Sequence, residues 1–267
     1  MIELKGVHYS YGDSAAVSGI SLTVRRGELV AIMGANASGK STMARMMNGL
    51  IIPDRGECLV EGVSTAEDPY HARRLVGMVF QDPDDQIVAS TVEDDIAFGL
   101  KNIGLSGKIL SERAREAMEL LKIHDLGGKK VHSLSGGKKQ LVAIAGIVAM
   151  KPSYIVMDEP ASMLDGEGAA LVRDAISMIK GRGCGIALIT HDPSEAVAAD
   201  RLIILQDGRV VLEGPPGDVF NRVERLADAG VDVPDTLKVS IELERMGLTL
   251  PRSLTPDGMV KRICPLL

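Results

Sequence analysis

Cysteine is scarce: Cys58, Cys184 and Cys264 are the only three in 267 residues, and none forms a CxxC pair. Neither a disulfide framework nor a zinc site is expected, and a reducing, cytosolic setting fits this usage. A basic excess is also missing, because 30 Lys and Arg against 36 Asp and Glu leave a formal net charge of −6. A nucleic-acid footprint needs dense cations to displace counterions, so no nucleic-acid partner is expected. Small anions can still be held at local sites. No apolar run approaches the roughly 20 residues that span a bilayer. The charged start Met1-Ile2-Glu3-Leu4-Lys5 does not read as a signal peptide. Direct membrane insertion is therefore not expected, and membrane association would have to come through a partner. Internal repeats and low-complexity tracts are absent as well.

What is present is core material: the chain is 45% hydrophobic and 25% charged, which suits one large domain with an appendage. The stretch from Leu29 to Leu50 organises it. Glu28 to Met33, bounded by glycine, is a short apolar run that predicts a buried parallel strand. It feeds Gly34-Ala35-Asn36-Ala37-Ser38-Gly39-Lys40-Ser41-Thr42, which fits the pattern GxxxxGKS. In that pattern successive backbone N–H groups and a helix N-terminus surround a nucleotide's phosphates, the lysine reaches the terminal ones, and the Ser41 hydroxyl ligates Mg²⁺.

Upstream, residues 2–9 and 20–24 alternate apolar and polar positions around Tyr11-Gly12-Asp13-Ser14 and read as antiparallel strands. Tyr11, placed in that turn, is either a half-buried loop aromatic or a platform for a planar base. Residues 51–80 alternate turns and strands, the last strand running from Leu75 to Phe80. Gln81 follows it, either capping the strand toward water or offering its amide to a metal and an attacking water. From Val92 to about Leu126 the pattern is helical. It leads into Ser133-Leu134-Ser135-Gly136-Gly137-Lys138-Lys139-Gln140 and then an apolar helix from Leu141 to Met150. Gly136 and Gly137 are poor helix formers, so N–H groups exposed to an anion explain them better than stability does.

Tyr154 to Asp158 is a second buried strand, ending in Asp158-Glu159-Pro160. Paired carboxylates there repel each other unless a Mg²⁺ ion stands beside them, in which case one holds the metal's waters and the other orients the attacking water. Gly185 to Thr190 is a third such strand, with His191 at its tip. Ligands bind at the carboxyl ends of parallel strands, which places Gln81, Glu159 and His191 together. Arg201–Leu205 and Arg209–Leu212 predict an edge hairpin around Gln206-Asp207-Gly208. Beyond Gly214, amphipathic segments at Asp218–Ala229 and Asp235–Met246 predict an appended helical unit.

These residues, in this order, resemble the nucleotide-binding subunit of an ATP-binding-cassette transporter over residues 1–213. GANASGKST resembles its Walker A loop, Gln81 the Q-loop, LSGGKKQ the signature, YIVMDEP the Walker B strand, Ser162-Met163-Leu164-Asp165 the D-loop and His191 the switch histidine. VFQDPDDQIVASTVEDDIAFGLKN and the tail most resemble the ATPase subunits of energy-coupling factor importers, which power uptake of vitamins or of cobalt and nickel ions. An ATPase of another importer, a soluble cassette ATPase in cofactor assembly or repair, and a regulator without turnover are the alternatives. The retained Glu159 and His191 disfavour the last.

The resemblance implies an α/β fold: a P-loop NTPase sheet core, an antiparallel β subdomain, a helical signature subdomain at about 82–150, and a small helical extension over 214–267. That extension either caps a sheet edge or adds a dimer contact. Bound ATP and Mg²⁺ are implied too. Tyr11 would stack the adenine, and residues 34–42 would hold the phosphates. Ser41 and Gln81 would hold the metal, with Asp158 acting through water. Glu159 would polarise the attacking water and His191 would sense the γ-phosphate. Ser135, Gly136 and Gly137 of a second ATPase subunit, identical or different, would close the site. Integral membrane subunits would dock beside Gln81–Gln86, at the cytoplasmic face of the membrane. Three positions depart from the pattern: Ala37, harmless if its backbone is ordinary, Lys138 and Met163.

Overall fold

The computed structural model describes residues 1–247 and 252–264. Its elements run β1 (Ile2–Tyr11), β2 (Ser14–Val24), β3 (Leu29–Gly34), α1 (Lys40–Met47), β4 (Arg55–Val60), β5 (Val63–Ser64), α2 (Pro69–Leu75) and β6 (Val76–Val79). The helices α3 (Val92–Asn102), α4 (Gly107–Leu120) and α5 (Gly136–Ala149) follow. Then come β7 (Tyr154–Asp158), α6 (Gly166–Lys180), β8 (Gly185–Ile189), α7 (Pro193–Val197), β9 (Arg201–Gln206) and β10 (Arg209–Gly214). Four helices complete the chain: α8 (Pro216–Phe220), α9 (Val223–Asp228), α10 (Asp235–Arg245) and α11 (Pro256–Ile263).

A six-stranded sheet of order β10-β9-β3-β8-β7-β6 forms the core, parallel except for β10. Its apolar runs alternate between two packing faces, as a strand's period of two requires. Leu29, Ala31, Met33, Ile155, Met157, Ile186 and Leu188 pack with α3 to α6. Val30, Ile32, Tyr154, Val156, Ala187 and Ile189 pack with α1, α2 and an antiparallel sheet of order β2-β1-β4-β5. Burial on both faces explains why these strands read as unbroken apolar runs.

Several local expectations are corrected. Leu75 ends helix α2 and does not open a strand, because Asp68 accepts from the His71 N–H and Pro69 occupies the first turn, which starts a helix there. Tyr11 lies outside the turn: it pairs with Ser14 as the last residue of β1, leaving Gly12-Asp13 as the turn, and β2 begins at Ser14. The helix expected at 218–229 is divided into α8 and α9. Phe220, Leu226, Val231, Val233 and Leu237 join the same core cluster as Leu202, Ile204 and Leu212, so the first part of the extension is packed on the sheet. Residues 248–251 and 265–267 of that extension lie outside the described residues.

Among the polar contacts between the two sheets, one is centred on Glu61. Glu61, in the β4–β5 turn, accepts from the Tyr154 hydroxyl at 2.6 Å and from Arg26 Nε at 3.0 Å. The hydrogen bonds from Tyr154 and then Arg26 hold its carboxyl down to about 2. A carboxyl depressed in the folded state stabilises above its unfolded value, about 4.3, and that stability is lost as pH falls toward the folded value. Glu61 is partly solvated, so about 1–2 kcal/mol is expected. Urea titrations between pH 6 and pH 2 should show the Glu61→Gln chain losing less stability with acid than the wild type; parallel curves would remove Glu61 from the linkage.

Candidate active site

Four parallel strands, β3, β8, β7 and β6, end side by side and carry the phosphate loop, His191, Asp158-Glu159 and Gln81 respectively. The expected convergence at the strand tips is therefore present. β3 turns through Gly34 into the loop and α1 starts at Lys40, with Gly39 as its N-cap at φ 95°. A Cβ at Gly39 would lie 2.3 Å from the Ala16 carbonyl, so this position needs glycine for both conformation and space. The first turn of α1 carries no acid, leaving its N-terminal N–H groups and dipole to an anion.

Lys40 is 5% exposed, and its Nζ donates to the carbonyls of Gly34 and Ala35 at 2.9 and 2.8 Å. Burial lowers its pKa, while Glu159 and Asp158 pull it the other way. An ammonium has three donors, so one remains for a phosphate oxygen. The Ser41 hydroxyl donates to Asp158 Oδ1 at 3.1 Å. Burial raises the Asp158 carboxyl, against the Ser41 hydrogen bond, and no ion pair reaches it among the described residues. A buried carboxylate beside a hydroxyl is a pair of hard oxygen donors, the kind that Mg²⁺ takes.

Glu159 stands one residue on. His191 Nε2 lies 2.7 Å from its Oε1. Gln81 Nε2 is 3.5 Å from its Oε2 and donates to the Ser162 hydroxyl at 3.1 Å. Glu159 has φ 50°, a left-handed conformation that costs a non-glycine residue about 1–2 kcal/mol. It turns the chain directly off the strand, and its N–H still reaches the Ile189 carbonyl of β8. Gln81 thus joins the Glu159 group, whereas the Ser41–Asp158 pair stands without it. The Thr42 hydroxyl donates to the Tyr11 hydroxyl at 3.5 Å, which sets the half-exposed Tyr11 ring beside the loop, edge-on to Tyr9.

Ala37 is exposed and has φ 61°, so the condition under which its methyl is harmless does not hold. Ala37→Gly should stabilise the chain by about 1 kcal/mol, read as a higher urea midpoint; an unchanged or lower midpoint would show that the loop relaxes around the methyl.

The two signature glycines differ in their surroundings. A Cβ on Gly137 would lie 2.5 Å from the Gly168 Cα, and one on Gly136 would lie 3.2 Å from Leu164. Gly137 is buried where α5 meets α6, which makes close helix packing a further reason for glycine there, while Ser135 and Gly136 are exposed. Among the described residues no hydrogen bond joins Ser135, Gly136 or Gly137 to the phosphate loop. Asp165 caps α6 through the Gly168 N–H at 2.7 Å, while Met163 is 64% exposed.

Other residues that position the site carried little signal in the sequence. Phe80, just before Gln81, donates its N–H to Gln86 and accepts from Gln140 through its carbonyl. Lys139 pairs with Asp84 at 2.8 Å, tying the start of α5 to the same loop. The buried Glu195 accepts from the Thr190 hydroxyl at 2.6 Å, and Thr190 accepts from the Asp192 N–H, which fixes the backbone around His191. Burial raises the Glu195 carboxyl. Glu159, Ser162, His191 and Glu195 line one cavity of about 380 Å³.

The sequence matches the family described as "ABC transporter" over residues 17–162. It is 42% identical to the energy-coupling factor transporter ATP-binding protein EcfA1 of Symbiobacterium thermophilum, over 99% of this chain and 97% of that protein. The fold is similar to that of cbiO1 from Clostridium perfringens, described as part of the ABC transporter complex cbiONQ: TM-score 0.78, 32% identity, 92% of this chain and 96% of that one. It is also similar to the dimeric ATP-binding cassette MJ0796 in a post-hydrolysis state bound to ADP and Pi: TM-score 0.72, 30% identity, 81% of this chain and 99% of that one.

Proposed function

This chain belongs to the ABC transporter family, and we propose that it is the ATP-hydrolysing subunit of an energy-coupling factor importer for a vitamin or a transition-metal ion. The observation that carries the enzymatic part is the meeting of Lys40, Ser41, Asp158, Glu159 and His191 at adjacent strand tips. The relatives named as energy-coupling factor ATPases, alike over nearly the whole chain, support the transport part.

Lys40 and the loop N–H groups would hold the β- and γ-phosphates, and Tyr11 would stack the adenine. Ser41 and Asp158 would hold Mg²⁺, with Gln81 joining when its amide leaves Ser162. The metal would neutralise charge developing on the phosphates. Glu159 orients and deprotonates the attacking water, and His191 fixes the Glu159 carboxylate in place. Ser135, Gly136 and Gly137 at the α5 N-terminus of a second cassette would supply the remaining N–H groups. When the chain is purified without other subunits, that second cassette is another copy of itself.

No described helix is long and apolar enough to cross a membrane, so transport requires integral membrane partners, docked near Gln81–Gln86 on the cytoplasmic side. Gentle purification through a tag on this chain should bring down integral membrane proteins in fixed proportion. A chain recovered from detergent extracts with no such companion would leave a soluble ATPase as the better reading.

A further inference from the structure

A second cavity, of about 440 Å³, lies at the opposite end of the parallel strands from the phosphate loop. Its floor is laid where β7 and β8 begin, at Pro152, Ser153 and Cys184. The walls are apolar: Ala117 and Leu120 from α4, Val148 from α5, Ile155 from β7 and Ile179 from α6. The rim is cationic, with Arg26, Arg113, Lys151 and Arg182 against the single carboxylate of Glu116.

Two of those cations are already paired, one of them with Glu116 of the same rim. Lys151 pairs with Glu116 at 2.8 Å, and Arg26 pairs with Glu61 at 3.0 Å while lying over the Tyr154 ring. Arg113 and Arg182 make no ion pair among the described residues, although Arg182 adds a weaker pull on Glu116 to that of Lys151, in a chain whose net charge is −6. A guanidinium is the side chain best matched to a carboxylate or phosphate. The volume lies within the roughly 300–1,000 Å³ of small-molecule sites, which combine apolar walls with a few polar anchors.

We propose that this cavity binds a small amphipathic anion, its carboxylate or phosphate head on Arg113 and Arg182 and its apolar body between α4, α5 and α6. The walls join the helical insert to the sheet core, so an occupant bridges the two while leaving the phosphate loop free. The cavity's lining shares no residue with the phosphate loop, so an occupant does not compete with nucleotide for the same contacts.

The test is a fluorescence titration of the purified chain with 8-anilinonaphthalene-1-sulfonate, an anion with an apolar body. A saturable site is expected, displaced by decanoate but not by decanol, and insensitive to Mg-ATP. Arg113→Ala/Arg182→Ala, at half-buried and exposed positions, should weaken it by about tenfold or more, with an unchanged thermal midpoint showing that the chain is folded. Equal affinity in that variant, equal displacement by decanol, or displacement by Mg-ATP would overturn the assignment. Cys184 gives a second readout that needs no change in the site. In a Cys264→Ser chain, decanoate should slow maleimide labelling of Cys184 several-fold, and an unaltered rate would count against the site.

Discussion

Replacing Glu159 with glutamine should lower ATP turnover by about 10²–10⁴-fold, the usual contribution of a general base, while Mg-ATP affinity should change little. The substitution is chosen for what it preserves. An amide has the shape of the carboxylate, its oxygen still accepts from His191, the Ser162 bond to the residue-159 carbonyl is untouched, and the Gln81 amide can turn its oxygen toward the new NH2. The backbone at φ 50° is unaffected, and Lys40, Ser41 and Asp158 keep their own partners. What disappears is the negative charge that accepts a proton from water. Phosphate release at saturating Mg-ATP, set beside equilibrium nucleotide binding, separates the two effects. Unchanged turnover would move the base to another group, and lost binding would make Glu159 a phosphate-site residue.

Local sequence carried the part of the site that depends on chain neighbours. The strand-loop-helix from Leu29 to Leu50 is legible because its glycines, lysine and flanking apolar runs are adjacent, and the structure places each as expected. The tips of β7 and β8 are legible for the same reason: an apolar strand ends abruptly in Asp158-Glu159 or Thr190-His191. Their convergence followed from the rule that parallel strands present their carboxyl ends together.

Contacts between distant segments were not legible. Gly137 reads as a bare helix start until Gly168 of α6 is seen against it. Gln86 and Gln140 hold the two peptide groups on either side of the Phe80 Cα, across 54 residues of chain; neither has a local pattern that marks it. The left-handed angle at Ala37 reflects how the loop closes, and alanine gives no hint of it. Leu75 misled because an apolar residue at a helix end and one at a strand start look alike when the two elements abut. Phe220 to Leu237 look amphipathic, and only the exposed side of the sheet beside β9 and β10 explains what their apolar face covers.

The central claim is that each ATP site is shared, the phosphate loop coming from one cassette and the signature from another. Two substitutions disable the halves separately. Lys40→Ala removes the ammonium from the loop and leaves α5 intact. Ser135→Glu leaves the loop intact and sets a carboxylate against a partner's bound phosphates; it should not unfold its own chain, because Ser135 is exposed and makes no side-chain cap bond, and an acid at a helix N-terminus is favourable. Each variant alone should hydrolyse ATP at a small fraction of the wild-type rate. Equal mixing makes about half the pairs mixed, each with one intact composite site, so activity should rise to about a quarter of wild type if pairing is by a two-fold axis. A mixture no more active than its two components would contradict the shared site.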